Sequence, residues 1–393
     1  MERRNLYLKT ITVKNVKTQA NSANSTARLV FTIQTESGEH DLWFQVSEQW
    51  ARYFTDDRCD PAVVALVRFA IRLGYGKIVS EWPISRELAY NLQYHVIPQL
   101  RLAKGSAGQS LDLEMPIEDS VFQGRGVGSG MSLGVDSFAT LSEYSKSSPL
   151  EEYRITHFTY FNVGAHHGQD ATLGNSKLTS RQLYEGQLAK AHQFSAENSY
   201  DLVVVDSNLS AFLRAAFGRS YFSYSHTYRN VAAAMSLQKL FSKYYYSSAY
   251  NLDNFSFSLT YDAASYEKWL LPYLGTGSMR FYNSNQSWNR LEKTELVAKM
   301  PESFRYLTVC LLGIENCGKC DKCRKTLMAL DVLGETVLDG YAEAFDLDEY
   351  KEISRGEWFG DLETLMNRKG LYGVDMQDIH HYATKSKFPH LPI

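Results

Sequence analysis

Gly128-Ser-Gly-Met-Ser-Leu-Gly-Val-Asp-Ser137, followed at once by Phe138-Ala-Thr-Leu-Ser-Glu-Tyr-Ser-Lys146, reads as a glycine-rich turn feeding a helix. Backbone N–H groups at such a helix start point at an anion, the helix dipole favours negative charge, and glycine lets phosphate oxygens approach the main chain. Ser132 and Ser137 add hydroxyl donors, while Asp136 can hold a magnesium ion or cap the helix. A phosphate or pyrophosphate is expected here. No Gly-Lys-Ser/Thr follows the glycines, and after Gly128 and Gly130 the next glycine, Gly134, comes one residue late for a dinucleotide fingerprint. The plainer reading of the same residues is a tight turn with Asp136 as the helix cap.

Around this segment the chain alternates strands and helices. The apolar runs from Ile155 to Val163 and from Asp201 to Ser207 read as parallel strands, joined by a helical crossover from Ser180 to Asn198. Helices are expected from Asn230 to Phe241 and from Thr294 to Met300, and Tyr244 to Tyr246 with Tyr250 as a packed strand. The run preceding the loop, from Val121 to Met131, is poor in apolar residues for a central strand. The fold expected is α/β: an open, doubly wound, mostly parallel sheet.

Upstream, residues 6–47 read as a small antiparallel sheet with a turn at Ser37-Gly38-Glu39. A helix is expected from Asp60, with Asp60 as cap and Pro61 in the first turn, and a second from Ser85 to Arg101. The polar stretch beginning at Lys104 marks a boundary. Three units result: an α+β N-terminal accessory domain over 1–115, a nucleotide domain over 116–335, and a helical extension over 336–393.

Hydrophobic residues make up 44% and charged residues 22%, the balance of a folded globular chain. Lys and Arg total 41 against 44 Asp and Glu, so the basic excess of a nucleic-acid binder is missing. Neither a membrane span nor a signal peptide is visible, and a cytoplasmic location is expected. In that reducing compartment four of the five cysteines cluster as Cys310-x6-Cys317-x2-Cys320-x2-Cys323, which suggests metal rather than disulfides. Four thiolates converging on one Zn²⁺ leave no open position, so the zinc is structural, with Lys319, Lys322 and Arg324 offsetting its charge. An iron–sulfur cluster or four reduced thiols are the alternatives. Cys59 stands alone as a small thiol.

Ser132-Leu133-Gly134-Val135-Asp136-Ser137 resembles the Ser-Gly-Gly-x-Asp-Ser motif of PP-loop ATP pyrophosphatases, which cleave ATP between the α and β phosphates. Leu133 departs from the pattern, standing where the family usually has glycine. A positive φ there would strain it; an amide that merely points at phosphate would not. Loop and cysteine knuckle in this order resemble the 7-cyano-7-deazaguanine synthase (QueC-like) family. Arg229-Asn230, Lys293-Thr294-Glu295 and Arg324 match further landmarks of that family over roughly residues 121–335.

The resemblance implies an adenine nucleotide alpha hydrolase-like fold, with ATP, Mg²⁺ and Zn²⁺ as cofactors. It implies that Met131 to Ser137 and Asn230 hold the nucleotide, and that Asp136, Lys293 and Arg229 serve catalysis. A small carboxylate, of deazaguanine type, would be adenylated with loss of pyrophosphate, and a nitrogen nucleophile would then displace AMP. His166 and His167, after the second strand, are candidates for orienting substrate, while His380 and His381 have no evident partner. The added N-terminal domain and C-terminal tail argue for a different acceptor, and relatives with extra domains occur in anti-phage gene clusters. A protein acceptor and a homo-oligomer are both compatible with the sequence. The competing readings are a tRNA-modifying enzyme of the same loop chemistry and a nucleotide-binding partner protein without turnover.

Overall fold

The computed structural model describes residues 9–105, 110–165, 176–259, 262–317 and 320–333. The expectations for His166, His167, Lys319, His380, His381 and the helical extension over 336–393 lie outside the described residues.

The first three strands, β1 (Thr10–Asn21), β2 (Thr26–Thr35) and β3 (Gly38–Ser47), form the expected antiparallel meander. Period-two alternation drives it: Leu29, Phe31 and Ile33 face one side with Leu42, Phe44 and Val46, all buried. After the short α1 (Glu48–Ala51), α2 (Asp60–Leu73) covers this face with a nearly continuous buried run. Pro61 lies in its first turn as expected, but Asp60 is not the cap. Its buried carboxylate instead accepts from Ser85 N–H (2.8 Å), Ser85 Oγ (2.5 Å) and Gln238 Nε2 (2.9 Å). Burial raises its pKa, with those hydrogen bonds acting the other way. The cap position falls to Cys59, a buried thiol in contact with Trp82 and Pro83 carbonyls.

Next come β4 (Lys77–Ser80), β5 (Ile84–Ser85), α3 (Arg86–Asn91), a π-helical turn over Leu92–Val96, and α4 (Ile97–Lys104); the helical stretch is the one expected from Ser85. Two short strands follow, β6 (Asp112–Glu114) and β7 (Ile117–Glu118). The alternating part begins with β8 (Gly126–Gly130), α5 (Val135–Tyr144), β9 (His157–Asn162), α6 (Ser180–Glu197) and β10 (Asp201–Ser207). It continues through α7 (Leu209–Phe217), α8 (Phe222–Met235), β11 (Phe241–Ser247), α9 (Glu267–Tyr273) and β12 (Arg280–Ser284). The last helices are α10 (Arg290–Ala298), α11 (Pro301–Phe304) and α12 (Asp321–Leu333).

Two helices differ from expectation. The one placed at Asn230 starts earlier, at Phe222, and ends at Met235, because Phe241 already belongs to the tyrosine-rich strand. The one placed at Thr294 starts at Arg290, where Asn289 and Glu292 form a reciprocal capping box.

Ten strands form one sheet in the order β12-β11-β8-β9-β10-β3-β2-β1-β4-β6. Pairing is parallel from β12 to β10, antiparallel through β3 and β2 to β1, and parallel again to β4 and β6. The N-terminal meander therefore extends the parallel sheet: Asp206 and Ser207 pair with Gln45 and Phe44. Both faces are covered. In β10, Val203 and Val205 enter the core shared with α2, α7 and α8, while Leu202 and Val204 pack towards the core of Phe138, Phe158 and Phe194.

The glycines of β8 have a steric cause. A Cβ at Gly128 would lie 2.8 Å from the Tyr244 ring and 2.9 Å from the Phe241 ring, and one at Gly126 would lie 2.8 Å from the Leu240 carbonyl oxygen. Aromatic side chains of β11 fill the space that apolar side chains of a central strand would otherwise occupy, which is why β8 reads as poor in apolar residues. Among the described residues no helix is long and apolar enough to cross a membrane.

Candidate active site

From β8 the chain winds through β9 to β10, then returns to place β11 on the other side of β8. Such a reversal leaves a crevice beyond the carboxyl ends of the strands, where open α/β sheets bind ligands. A cleft of about 290 Å³ lies there, lined by the 130–137 loop, the ends of β9 and β11, and Asn230 of α8.

The loop is tied down at several points. Met131 N–H donates to the Thr159 carbonyl (2.9 Å), Ser132 Oγ and Ser137 Oγ are 3.2 Å apart, and Ser137 Oγ also donates to the Gly134 carbonyl (3.0 Å). Gly134 is the extended residue before α5, and Val135 is buried in the core beneath it. Leu133 adopts φ 60°, the left-handed conformation that favours glycine. Strain of about 1–3 kcal/mol is expected for such a residue. Its side chain is buried in the same core as Val309 and Cys310, worth about 1.5–3 kcal/mol, which offsets the strain. Its carbonyl accepts from Thr308 N–H at 2.7 Å.

Asp136 is in the first turn of α5 but does not cap it. Its carboxylate accepts from Arg290 Nη1 (2.7 Å) and Lys293 Nζ (3.3 Å), one helical turn apart on α10. Lys293 is fully buried and also donates to the Ser248 carbonyl (2.5 Å), so it is no exposed surface contact. Asp136 thus bridges two cations. Lys322 of α12 feels the same cluster: desolvation and Arg290 hold its pKa below the ordinary value, with Asp136 opposing them.

Asn230 lines the cleft and donates to Tyr246 Oη (3.1 Å). Arg229, its sequence neighbour, points elsewhere. Its buried guanidinium donates to the Val163 carbonyl (2.9 Å), Ser210 Oγ (2.8 Å), Ser225 Oγ (2.8 Å) and the Ser220 carbonyl, bracing the end of β9. Burial, then Arg214 and Arg68, push its pKa down to about 9. A Cβ at Gly164 would come 2.6 Å from its Nη1, and Gly164 has φ +124°. Of the expected set, Met131, Ser132, Asp136, Ser137 and Asn230 line the cleft and Lys293 reaches Asp136 without lining it, while Leu133, Gly134, Val135 and Arg229 do not join the lining.

Sequence reading missed Arg290, although the capping box at Asn289 and its spacing of three from Lys293 were legible signals. It also missed Tyr246. Tyr244 and Tyr245 are buried as expected, Tyr244 against Thr159 Oγ1 (2.5 Å) and Tyr245 stacked on Tyr144 (3.8 Å), yet both of them and Tyr246 also line the cleft. Strand alternation alone does not say which side is a site.

The four cysteine sulfurs all lie within 4.8 Å of one another, with Cys317 and Cys323 4.0 Å apart. Thiolate–zinc bonds of about 2.3 Å set sulfurs about 3.8 Å apart in a tetrahedron, so the donor set fits zinc. Backbone N–H groups of Leu312 and Cys320 donate to Cys310 and Cys317 sulfur (both 3.3 Å). The knuckle follows the segment that holds the 131–137 loop, where Thr308 N–H donates to the Leu133 carbonyl. Asn316 clasps Val309 N–H (2.8 Å) and the Leu307 carbonyl (2.7 Å), and Lys190 of α6 reaches Glu315 (2.7 Å) and Thr308 Oγ1 (3.0 Å).

Set against protein-family models, curated proteins and solved structures, the chain matches none.

Proposed function

We propose that this chain is an ATP-dependent enzyme of PP-loop pyrophosphatase chemistry. It adenylates a small carboxylate of deazaguanine type, releases pyrophosphate, and passes the acyl group to a nitrogen nucleophile. The observation that carries the reading is the meeting, at the switch point of the sheet, of the 131–137 loop with Arg290 and Lys293.

In this reading the amides at the start of α5 receive the phosphates, with Ser132 and Ser137 as further donors. The substrate carboxylate attacks the α-phosphorus, and charge develops on the departing pyrophosphate. Arg290 and Lys293 are preorganised cations for that charge, held without substrate by Asp136. Asp136, with the loop hydroxyls, is the set that would hold Mg²⁺, a hard cation usually bound through one carboxylate and substrate phosphates. Mg²⁺ would supply further neutralisation of the phosphates. Zinc at Cys310, Cys317, Cys320 and Cys323 would be closed and structural, stiffening the segment whose Thr308 holds the Leu133 carbonyl.

Incubation with ATP, Mg²⁺, ammonium and 7-carboxy-7-deazaguanine, followed by mass spectrometry, tests this. Carboxylate-dependent AMP and pyrophosphate, with an amide or nitrile product, are expected. Saturable ATP binding without AMP formation on this or any other small carboxylate would favour a partner protein without turnover.

A further inference from the structure

Beginning at Asn230 and Tyr246 in the lining of the cleft, four polar side chains form one chain of hydrogen bonds. Asn230 Nδ2 donates to Tyr246 Oη (3.1 Å), Tyr246 Oη lies 3.0 Å from His226 Nδ1, and His226 Nε2 lies 2.8 Å from Asp262 Oδ1. Asp262 is fixed in turn, its Oδ1 accepting from Ala264 N–H (2.9 Å). Burial pushes the Asp262 carboxyl up, but the bonds from His226 and Ala264 outweigh it and hold it below its ordinary value. Asp262 is thus an anion that accepts a proton bond from Nε2. That fixes the tautomer: Nε2 carries the hydrogen, Nδ1 is the bare acceptor, and the phenol O–H of Tyr246 points at it. Burial raises the Tyr246 pKa strongly, so the phenol keeps its hydrogen at neutral pH.

A carboxylate orienting an imidazole that accepts from a hydroxyl is the arrangement by which proteins make a proton acceptor. Tyr246 and Asn230 both line the cleft, a position that a purely structural clasp between α8 and β11 would not need. Asn230 donates to the Tyr246 oxygen, and Thr227 Oγ1 lies beside it with Glu267 as its own acceptor, so an acceptor position of that oxygen is open to a ligand N–H.

We propose that Tyr246, backed by His226 and Asp262, is the proton acceptor for the amine that attacks the activated acyl group, an inference that rests on the function proposed above. The amine nitrogen forms its bond to the acyl carbon, and the bond from that carbon to the phosphate oxygen breaks, its electron pair leaving with AMP. The proton lost by nitrogen goes to Tyr246 Oη while the phenol hydrogen passes to His226 Nδ1. The imidazolium so formed faces Asp262 and the buried Glu267, which lies under α8 and accepts from Thr227 Oγ1 (3.3 Å) and Ala249 N–H (3.3 Å). Tyr246 is the group that meets substrate; His226 and Asp262 act through it. Activation needs no proton from the amine, so the relay belongs to the second half-reaction alone.

The test separates the halves in the full-length protein. Carboxylate-dependent exchange of labelled pyrophosphate into ATP reads activation, and product formed with ammonium reads transfer. Tyr246→Phe and His226→Gln are each expected to slow transfer about 10²-fold or more, raising the ratio of exchange to transfer by the same factor. Transfer kept within roughly threefold, or lost in equal measure with exchange, overturns the relay. Should His226→Gln not fold, Asp262→Asn takes its place, with the same slowing of transfer expected from the wrong tautomer.

Absence of exchange in wild type with every carboxylate would sink the activation reading instead, and the relay is then decided without substrate. Nitrogen NMR of histidine-labelled protein should show His226 as the Nε2–H tautomer, and a hydrogen on Nδ1 at neutral pH would overturn it.

Discussion

The cysteine knuckle and the cleft beside it are built in opposite ways. All four candidate zinc ligands fall within residues 310–323, and their sulfurs converge within 4.8 Å. The cleft draws its polar lining from the 131–137 loop, Asn230 and Tyr246, with Arg290 and Lys293 bonded to Asp136, and these groups are carried on separate strands and helices. A site whose ligands are close in sequence is limited by ligand chemistry, whereas one gathered from across a sheet is limited by how accurately the sheet holds its parts. The two meet at the bond from Thr308 N–H to the Leu133 carbonyl and in the core that Leu133 shares with Cys310.

The largest effect should come from breaking the local site. Cys317→Ser with Cys320→Ser removes half of the thiolate set, and bound zinc should fall to background with a clear drop in Tm, because metal binding free energy is folding free energy for such a loop. Metal analysis and thermal unfolding check it. If the cleft depends on the knuckle through Thr308, pyrophosphate release should fall too; full activity in the zinc-free variant would break the comparison by showing the two sites independent.

Within the cleft, Lys293→Met removes a fully buried cation and should lower pyrophosphate release about 10²–10³-fold, or about 2.7–4 kcal/mol of transition-state stabilisation. Arg290→Met, at a partly exposed position, should cost less. Steady-state kinetics on both variants would sharpen the point that burial sets the value of a charge; equal losses would contradict it.

Leu133→Gly tests the junction. Glycine relieves strain of about 1–3 kcal/mol at φ 60°, but loses about 1.5–3 kcal/mol of burial and adds conformational freedom to the unfolded chain, so the variant should be slightly less stable. Chemical denaturation measures the difference, and a more stable variant would mean that strain outweighs packing at this loop.

The smallest effect concerns Glu267 behind the cleft, whose carboxyl is pushed up to about 7, chiefly by burial. The folded state then holds a proton that the unfolded chain releases above its ordinary value of 4.5, so stability falls as pH rises between about 4.5 and 7. Glu267→Gln should therefore have a Tm that gains on wild type between pH 5 and pH 8. A constant difference between the two proteins would show that Glu267 does not titrate in this range.

Much of the fold was legible from local signals. The antiparallel meander, the strands at 157–162 and 201–207, the crossover helix from Ser180 and the helix from Asp60 stand where period and turn residues put them. Local reading failed where partners were distant. Asp60 looked like a cap and instead binds Ser85 and Gln238; the helix around Asn230 was misplaced by the pull of the following strand. Arg229 and Asn230 looked like one landmark, yet adjacent helical positions point about 100° apart, so one braces β9 and the other faces the cleft.

By itself the sequence determined the glycine-rich loop before α5, the clustering of four cysteines and the alternation of strands and helices, since each depends on residues within one or two turns of each other. Tertiary structure alone decided that the meander joins the parallel sheet edge to edge, that Leu133 sits at positive φ, that Arg290 shares Asp136 with Lys293, and that Tyr246 backs onto His226 and Asp262. Those facts rest on strand order and on contacts between distant segments, which no local pattern encodes.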